Sequence, residues 1–168
     1  RLPRQRLRVR EAAAAFRELP EGPEAGELRL LAAYDAGAWQ EALERLESEK
    51  QPSIERLLMR ADVLLLLGRS REAAGVYQQT IARDPRFFWS AYLNLAGILA
   101  GEGQDPEPLY LLAHELFPES EAPAAALLSH LVRVGQTEDA WPVLERSLES
   151  FPDSLPLRWL LLELRRGN

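Results

Sequence analysis

The chain contains no cysteine, so it can hold neither a disulfide framework nor a thiolate metal site. Histidine is nearly absent too. His114 and His130 are the only two, and neither has a second histidine or an acid at a ligand-like spacing that stands out from ordinary helix surface. No apolar run approaches the roughly 18 residues needed to span a bilayer. No nucleophile elbow, phosphate-cradling loop or dinucleotide fingerprint is present, and the Gly101–Gly103 pair is accounted for by a hairpin turn. No residue is therefore assigned to catalysis, to a cofactor or to a metal. No secretory segment is visible. The first residue is Arg1 rather than methionine, which points to a processed protein or an excised domain. The compartment is open: the cytoplasm is the simplest reading, and the soluble portion of a membrane-anchored or exported protein fits as well.

Basic charge is confined and acid is abundant. Residues 1–10 carry five arginines and no acid, whereas residues 105–153 carry ten Asp or Glu against Arg133 and Arg146. A nucleic-acid reader needs a basic stripe, so that class is excluded. The leading arginines read as a solvated helix face, or else as a lipid-facing or interaction tail. The acidic half either steers a basic partner toward the chain or simply keeps helix faces soluble.

What the chain does have is a repeat. Gly37, Gly68, Gly103 and Gly135 stand 31, 35 and 32 residues apart, and nine residues after each comes a large side chain: Leu46, Tyr77, Leu112 and Leu144. A period near 34 marks a helix-hairpin repeat. Five residues after the glycine stand Ala42, Ala73 and Ala140, and thirteen after it Ile81, Leu116 and Leu148. Four residues before it are Leu64, Leu99 and Leu131; seven before are Leu30, Ala61, Ala96 and Leu128. Such separations share one side of a helix. Each unit thus reads as helix A, a glycine turn in the left-handed conformation, then helix B. Ser70 is a good N-cap, and Asp105-Pro106 reads as an N-cap followed by proline at the first helical position. Pro52, Pro85, Pro118 and Pro152 close the units. Pro108 falls in a first turn, where the missing amide is tolerated. Pro142 lies inside the last helix B and should start that helix late or kink it.

These residues resemble the tetratricopeptide repeat (TPR). The second unit carries the likeness best, through Leu57, Ala61, Leu64, Gly68, Ala73, Tyr77 and Asp84-Pro85. The fourth follows through Leu127, Leu128, Leu131, Gly135, Ala140, Leu144 and Pro152. The first is fair (Ala33, Gly37, Trp39, Ala42, Leu46), and the third departs at Pro108, where the family prefers alanine. The resemblance implies an all-α chain of about ten helices, with antiparallel hairpins stacked into a right-handed superhelix. One domain, 1–168, would hold a leading helix over 5–19, repeats over 22–52, 53–85, 86–118 and 119–152, and a capping helix over 153–168.

The same resemblance implies a concave face lined by the A helices. The places three, six and ten residues before each glycine give Glu27, Leu31 and Tyr34; Leu58, Asp62 and Leu65; Leu93, Gly97 and Ala100; Ala125, Ser129 and Val132. An apolar groove suits an amphipathic helix or an extended peptide. Leu58, Leu65 and Leu93 are equally readable as core. The lysine-rich clamp by which some family members hold a carboxylate is missing; only Asn94 resembles one of its members. Phe87, Phe88, Trp89 and Tyr92 form the densest aromatic cluster, either core packing or a partner anchor. Tyr34, Leu58, Asp62, Leu65, Trp89, Asn94 and Ser129 are the candidate partner-binding residues. The function expected is a protein–protein interaction module, a scaffold or adaptor for a protein or peptide partner. The alternatives are a regulatory or substrate-docking domain of a larger enzyme, or an array that stacks on copies of itself through an apolar side of the leading helix (Leu7, Ala14, Phe16).

Overall fold

The computed structural model describes residues 22–167, and the expected leading helix lies outside them. Among the described residues the structure is all-α, with nine helices packed as sequential hairpins. They are α1 (Pro23–Asp35), α2 (Trp39–Ser48), α3 (Ile54–Leu66), α4 (Ser70–Arg83), α5 (Ser90–Gly101), α6 (Glu107–Leu116), α7 (Glu121–Val134), α8 (Thr137–Ser150) and α9 (Leu155–Gly167). They gather into two compact units, one ending at Gln79 and the other beginning at Thr80.

One backbone device sets every hairpin. Gly37, Gly68, Gly103 and Gly135 have φ of 70°, 74°, 75° and 82°, the left-handed region that a side chain enters at a cost. The residue after each glycine then donates its N–H back across the helix end: Ala38 to Ala33 O, Arg69 to Leu64 O, Gln104 to Leu99 O and Gln136 to Leu131 O, all at 2.8 or 2.9 Å. This six-residue closure satisfies carbonyls that the helix leaves orphaned. Helix starts are capped more variably. The Ser53 hydroxyl accepts from the Arg56 amide at 3.4 Å and the Ser154 hydroxyl from the Leu157 amide at 3.1 Å. Each second helix stops shortly before its proline, at Ser48, Arg83, Leu116 and Ser150.

In the first unit α2 packs on both α1 and α3. Ala42, Leu43, Leu46, Ala61, Val63, Leu64, Ala73 and Tyr77 are buried there. Arg56 on α3 pairs with Glu27 on α1, and its Nε lies 3.5 Å from Glu49 beyond α2. In the second unit α6 packs on α5 and α7, α8 on α7, and α9 on both α7 and α8. Leu127, Leu128, Leu131, Ala140 and Leu144 form a core that α9 completes with Leu157, Leu160 and Leu164. A smaller cluster joins Tyr92, Ala113 and Phe117. Ala42, Ala73, Ala113 and Ala140 are 0% exposed, as expected where small side chains let two helices approach closely.

One expectation from spacing is narrowed and another is corrected. Helix α8 runs unbroken from Thr137 through Pro142, so it does not start late. The third hairpin is out of register with the others. Its second helix begins four residues after the glycine rather than two, because Gln104, Asp105 and Pro106 lengthen the turn. Asp105 Oδ1 accepts from the Glu107 amide at 3.0 Å, and Pro106 stands as the N-cap one place before the helix. The buried stripe slips by one residue in consequence. Leu112 is 40% exposed, whereas Ala113 is 0% and Phe117 6% exposed. Leu99, opposite this turn, is half-buried where Leu64 and Leu131 are buried.

This slip has a measurable consequence. Ala113→Leu should lower unfolding stability by about 1–3 kcal/mol through overpacking. Leu112→Ala should stay within roughly 0.5 kcal/mol of wild type, as surface changes do. Urea unfolding followed by circular dichroism checks both, and the reverse ranking would restore the unshifted register.

Candidate functional site

Every place three, six and ten residues before a turn glycine remains accessible or half-buried in the structure, none of the twelve being buried. The neighbouring places seven residues before the glycine (Leu30, Ala61, Ala96 and Leu128) are all buried. In the first unit this stripe runs over α1 and α3. Leu31 is 42% exposed, and Tyr34, Leu58, Asp62 and Leu65 are half-buried. The Tyr34 ring meets Trp39 edge to face, with centroids 5.4 Å apart. Burial raises the Tyr34 hydroxyl above the usual tyrosine range, and the carboxylates of Asp62 and Asp35 add to the effect. Asp62 is anchored from beneath: Tyr77 Oη, on a fully buried side chain, donates to its Oδ1 at 2.6 Å. Asp62 is thus part of the internal packing of α3 on α4 as well as of the surface. Glu27, at the far end of the stripe, is taken up by Arg56.

In the second unit Asn94 is half-buried on α5 and Ser129 exposed on α7. Trp89 sits just before α5, half-buried, packed against the Tyr92–Ala113–Phe117 cluster and stacked on Phe88 at 5.2 Å. Tyr92 is wholly internal, its hydroxyl donating to Pro85 O at 2.8 Å. Of the aromatic cluster, Phe88 is the most exposed member, at 44%. It lines a crevice of about 440 Å3 with Arg86, Phe87, Trp89 and residues 115–120. Sequence spacing gave no warning of this crevice, because its two walls lie some thirty residues apart, before α5 and after α6.

A third grouping is also tertiary. Asp105, Glu107 and His130 bring ligand-type atoms within 4.8 Å of one another. The protonation pattern of the ring decides what they can do. Arg133, which can only donate, approaches His130 Nδ1 at 2.9 Å, so that nitrogen accepts and Nε2 carries the proton. Nε2 faces Glu107 Oε2 at 3.4 Å. A cation on Nε2 would have to expel that proton and break the arginine contact, so the geometry fits a close polar contact between α6 and α7 better than a metal centre. Among the described residues no helix is long and apolar enough to cross a membrane.

The fold is that of the tetratricopeptide repeat proteins. MamA from Desulfovibrio magneticus RS-1 is 20% identical and superposes with a TM-score of 0.70 over 91% of this chain and 94% of its own. Another crystal structure of MamA gives 17% identity and 0.68, over 88% of this chain and 85% of its own. YrrB, described as a TPR protein with an unusual peptide-binding site, gives 18% identity and 0.60, over 93% and 84%. No protein-family model matches the sequence, and neither does any curated protein sequence.

Two expectations follow from the buried polar groups. Asp62→Ala should cost about 1–3 kcal/mol in urea unfolding, because it strips the buried Tyr77 hydroxyl of this acceptor. Tyr77→Phe, which removes donor and need together, should cost less. The second concerns His114, whose Nδ1 is buried without a hydrogen-bond partner among the described residues. Burial lowers its pKa and Arg146 lowers it further, against a smaller opposing pull from Glu115. The unfolded chain therefore binds a proton at this site before the folded chain does. The associated stability is full above the ordinary histidine value of about 6.5 and is lost as pH falls toward the lower folded value. The melting temperature should drop between pH 7.5 and 5, and His114→Gln should flatten that part of the profile.

Proposed function

We propose that the chain is a protein-interaction module, a scaffold or adaptor that takes a peptide or helix of a partner on the accessible stripe of its A helices. The observation that carries this reading is the stripe itself, in which Leu31, Leu58 and Leu65 remain in contact with solvent beside a buried neighbouring row. Leucines left at a surface in register supply the apolar anchor that an amphipathic helix or extended peptide needs. Tyr34 offers a ring for contact and a protonated hydroxyl that can donate to a partner carbonyl. Asp62, held in place by Tyr77, offers a fixed acceptor at the centre of the stripe. The preformed geometry reduces the ordering cost of binding. The likeness to YrrB, a peptide-binding TPR protein by its description, supports the same reading.

Panning a display library of random peptides against the full chain tests it. Peptides enriched in bulky apolar residues are expected, bound more weakly by about 1–3 kcal/mol after Tyr34→Ala or Leu65→Ala, the range of interface hot spots. Titration calorimetry measures the loss, and an unchanged helical spectrum separates it from unfolding. Selected peptides indifferent to both substitutions would remove the stripe as the binding surface. Trp89 serves this test poorly, since its packing against Tyr92 and Phe117 couples it to the core.

A further inference from the structure

The crevice of the second unit has a chemistry of its own. Its walls are the turn before α5, with Arg86, Phe88 and Trp89, and the turn after α6, with Glu115, Pro118 and Glu119. Its volume of about 440 Å3 falls inside the roughly 300–1,000 Å3 of small-ligand pockets. Phe88 is stacked on Trp89 with the ring planes 25° apart, and its outer part is open to solvent. Glu115 and Glu119 are exposed, and neither is part of an ion pair or a side-chain hydrogen bond among the described residues. Two glutamates against one arginine leave the crevice net negative. Along residues 105–153, these two glutamates included, ten acids stand against two arginines.

We propose that this crevice is a docking site for an arginine side chain carried on an extended segment of a partner protein. A guanidinium satisfies both halves of the lining at once. Its planar face stacks on an aromatic ring, and its edge donates in a fork to carboxylates. Phosphate groups of nucleic acid or lipid are repelled by the same two glutamates. A wholly apolar ligand would make no use of the two exposed carboxylates. The acidic field of the second unit draws a basic segment toward the crevice before contact, and that contribution fades with salt. The proposal rests on the reading that the chain binds proteins but not on the α1–α3 stripe, from which it is separate in residues and in chemistry.

The test uses the full chain and two tripeptides, acetyl-Ala-Arg-Ala-amide and its citrulline counterpart, titrated by NMR of backbone amides and Trp indoles. Citrulline keeps the shape of arginine and loses its charge. The arginine peptide is expected to shift Phe88, Trp89, Glu115 and Glu119 signals saturably, with the citrulline peptide weaker by about tenfold. The double variant Glu115→Gln, Glu119→Gln should weaken arginine binding by a similar factor, and Phe88→Ala should weaken it several-fold, roughly, for loss of the stacking face. All three positions are exposed, so the spectrum away from the crevice should be unchanged. Equal response to the two peptides, indifference to the double variant, or no saturable shift at the crevice would overturn the proposal. Shifts confined to Tyr34, Asp62 and Leu65 would overturn the crevice and leave the stripe standing. Failure of peptide selection on the stripe, with arginine still bound at residues 86–89 and 115–120, would do the opposite.

Discussion

The left-handed glycine closing each first helix is the constraint on which the rest depends. At Gly68, Gly103 and Gly135 an added Cβ would meet nothing within 4 Å, so space does not demand glycine there. The backbone conformation does, since a residue with a side chain in that region is disfavoured by about 1–2 kcal/mol. Once the glycine turns the chain, the next amide reaches back to the carbonyl four residues before the glycine, and the direction of the departing chain is fixed. In the first, second and fourth hairpins the second helix then starts two residues on. That fixed lead is why the alanine five residues after the glycine is the point of closest approach in all three. A small side chain at the contact and a large one a turn later are consequences of the turn geometry.

The third hairpin shows what happens when the closure is kept and the lead is changed. Gly103 and Gln104 make the same backbone bonds as their counterparts, but Asp105 and Pro106 extend the loop before α6. The helix rotates so that Ala113 takes the contact and Leu112 turns outward. The same extended loop carries Asp105 and Glu107 to His130 on α7, where Arg133 selects the ring tautomer. Proline inside α8 is absorbed differently. Pro142 lies near enough to the helix start that little of the hydrogen-bond ladder precedes it, and the Ser147 hydroxyl bonds Val143 O at 2.7 Å in the turn that follows.

Much of this was legible before any coordinates. Gly37, Gly68, Gly103 and Gly135 announced the hairpins, the prolines announced their ends, and the alanines at the fifth place announced three of the four contacts. Periodicity could do this because each of those features acts within one hairpin. It failed at Leu112 because a loop insertion is invisible to a fixed offset counted from the glycine. The row of half-buried A-helix residues could be listed from spacing, yet the tie from Tyr77 to Asp62 could not, since it joins positions fifteen residues apart on different helices. Trp89 was legible as an aromatic near a helix start, but its division between core and surface depends on Phe117, across the hairpin. Nothing in the sequence singles out Glu115 or Glu119. Only the meeting of two turns gives them a neighbour such as Phe88.

The two units also differ in how they use charge. In the first, acids are largely answered within the unit: Glu41 by Arg45, Glu27 and Glu49 by Arg56, Glu47 by Arg60, Glu72 by Arg69. Exposed pairs of this kind add little to stability. What they change is the field, because a paired charge projects little potential beyond the pair. In the second unit Glu115, Glu119, Glu138, Asp139, Glu145 and Glu149 have no ion pair among the described residues. Their potential reaches outward over a distance set by the salt concentration, about 8–10 Å under ordinary conditions. A surface whose charges are internally cancelled discriminates by shape and apolar contact. One whose charges are left open attracts by sign before contact is made. The apolar stripe on α1 and α3 and the acidic crevice between the turns flanking α5 and α6 divide along the same line, so the two proposed sites differ in their grounds for recognition, bulk on one and positive charge on the other.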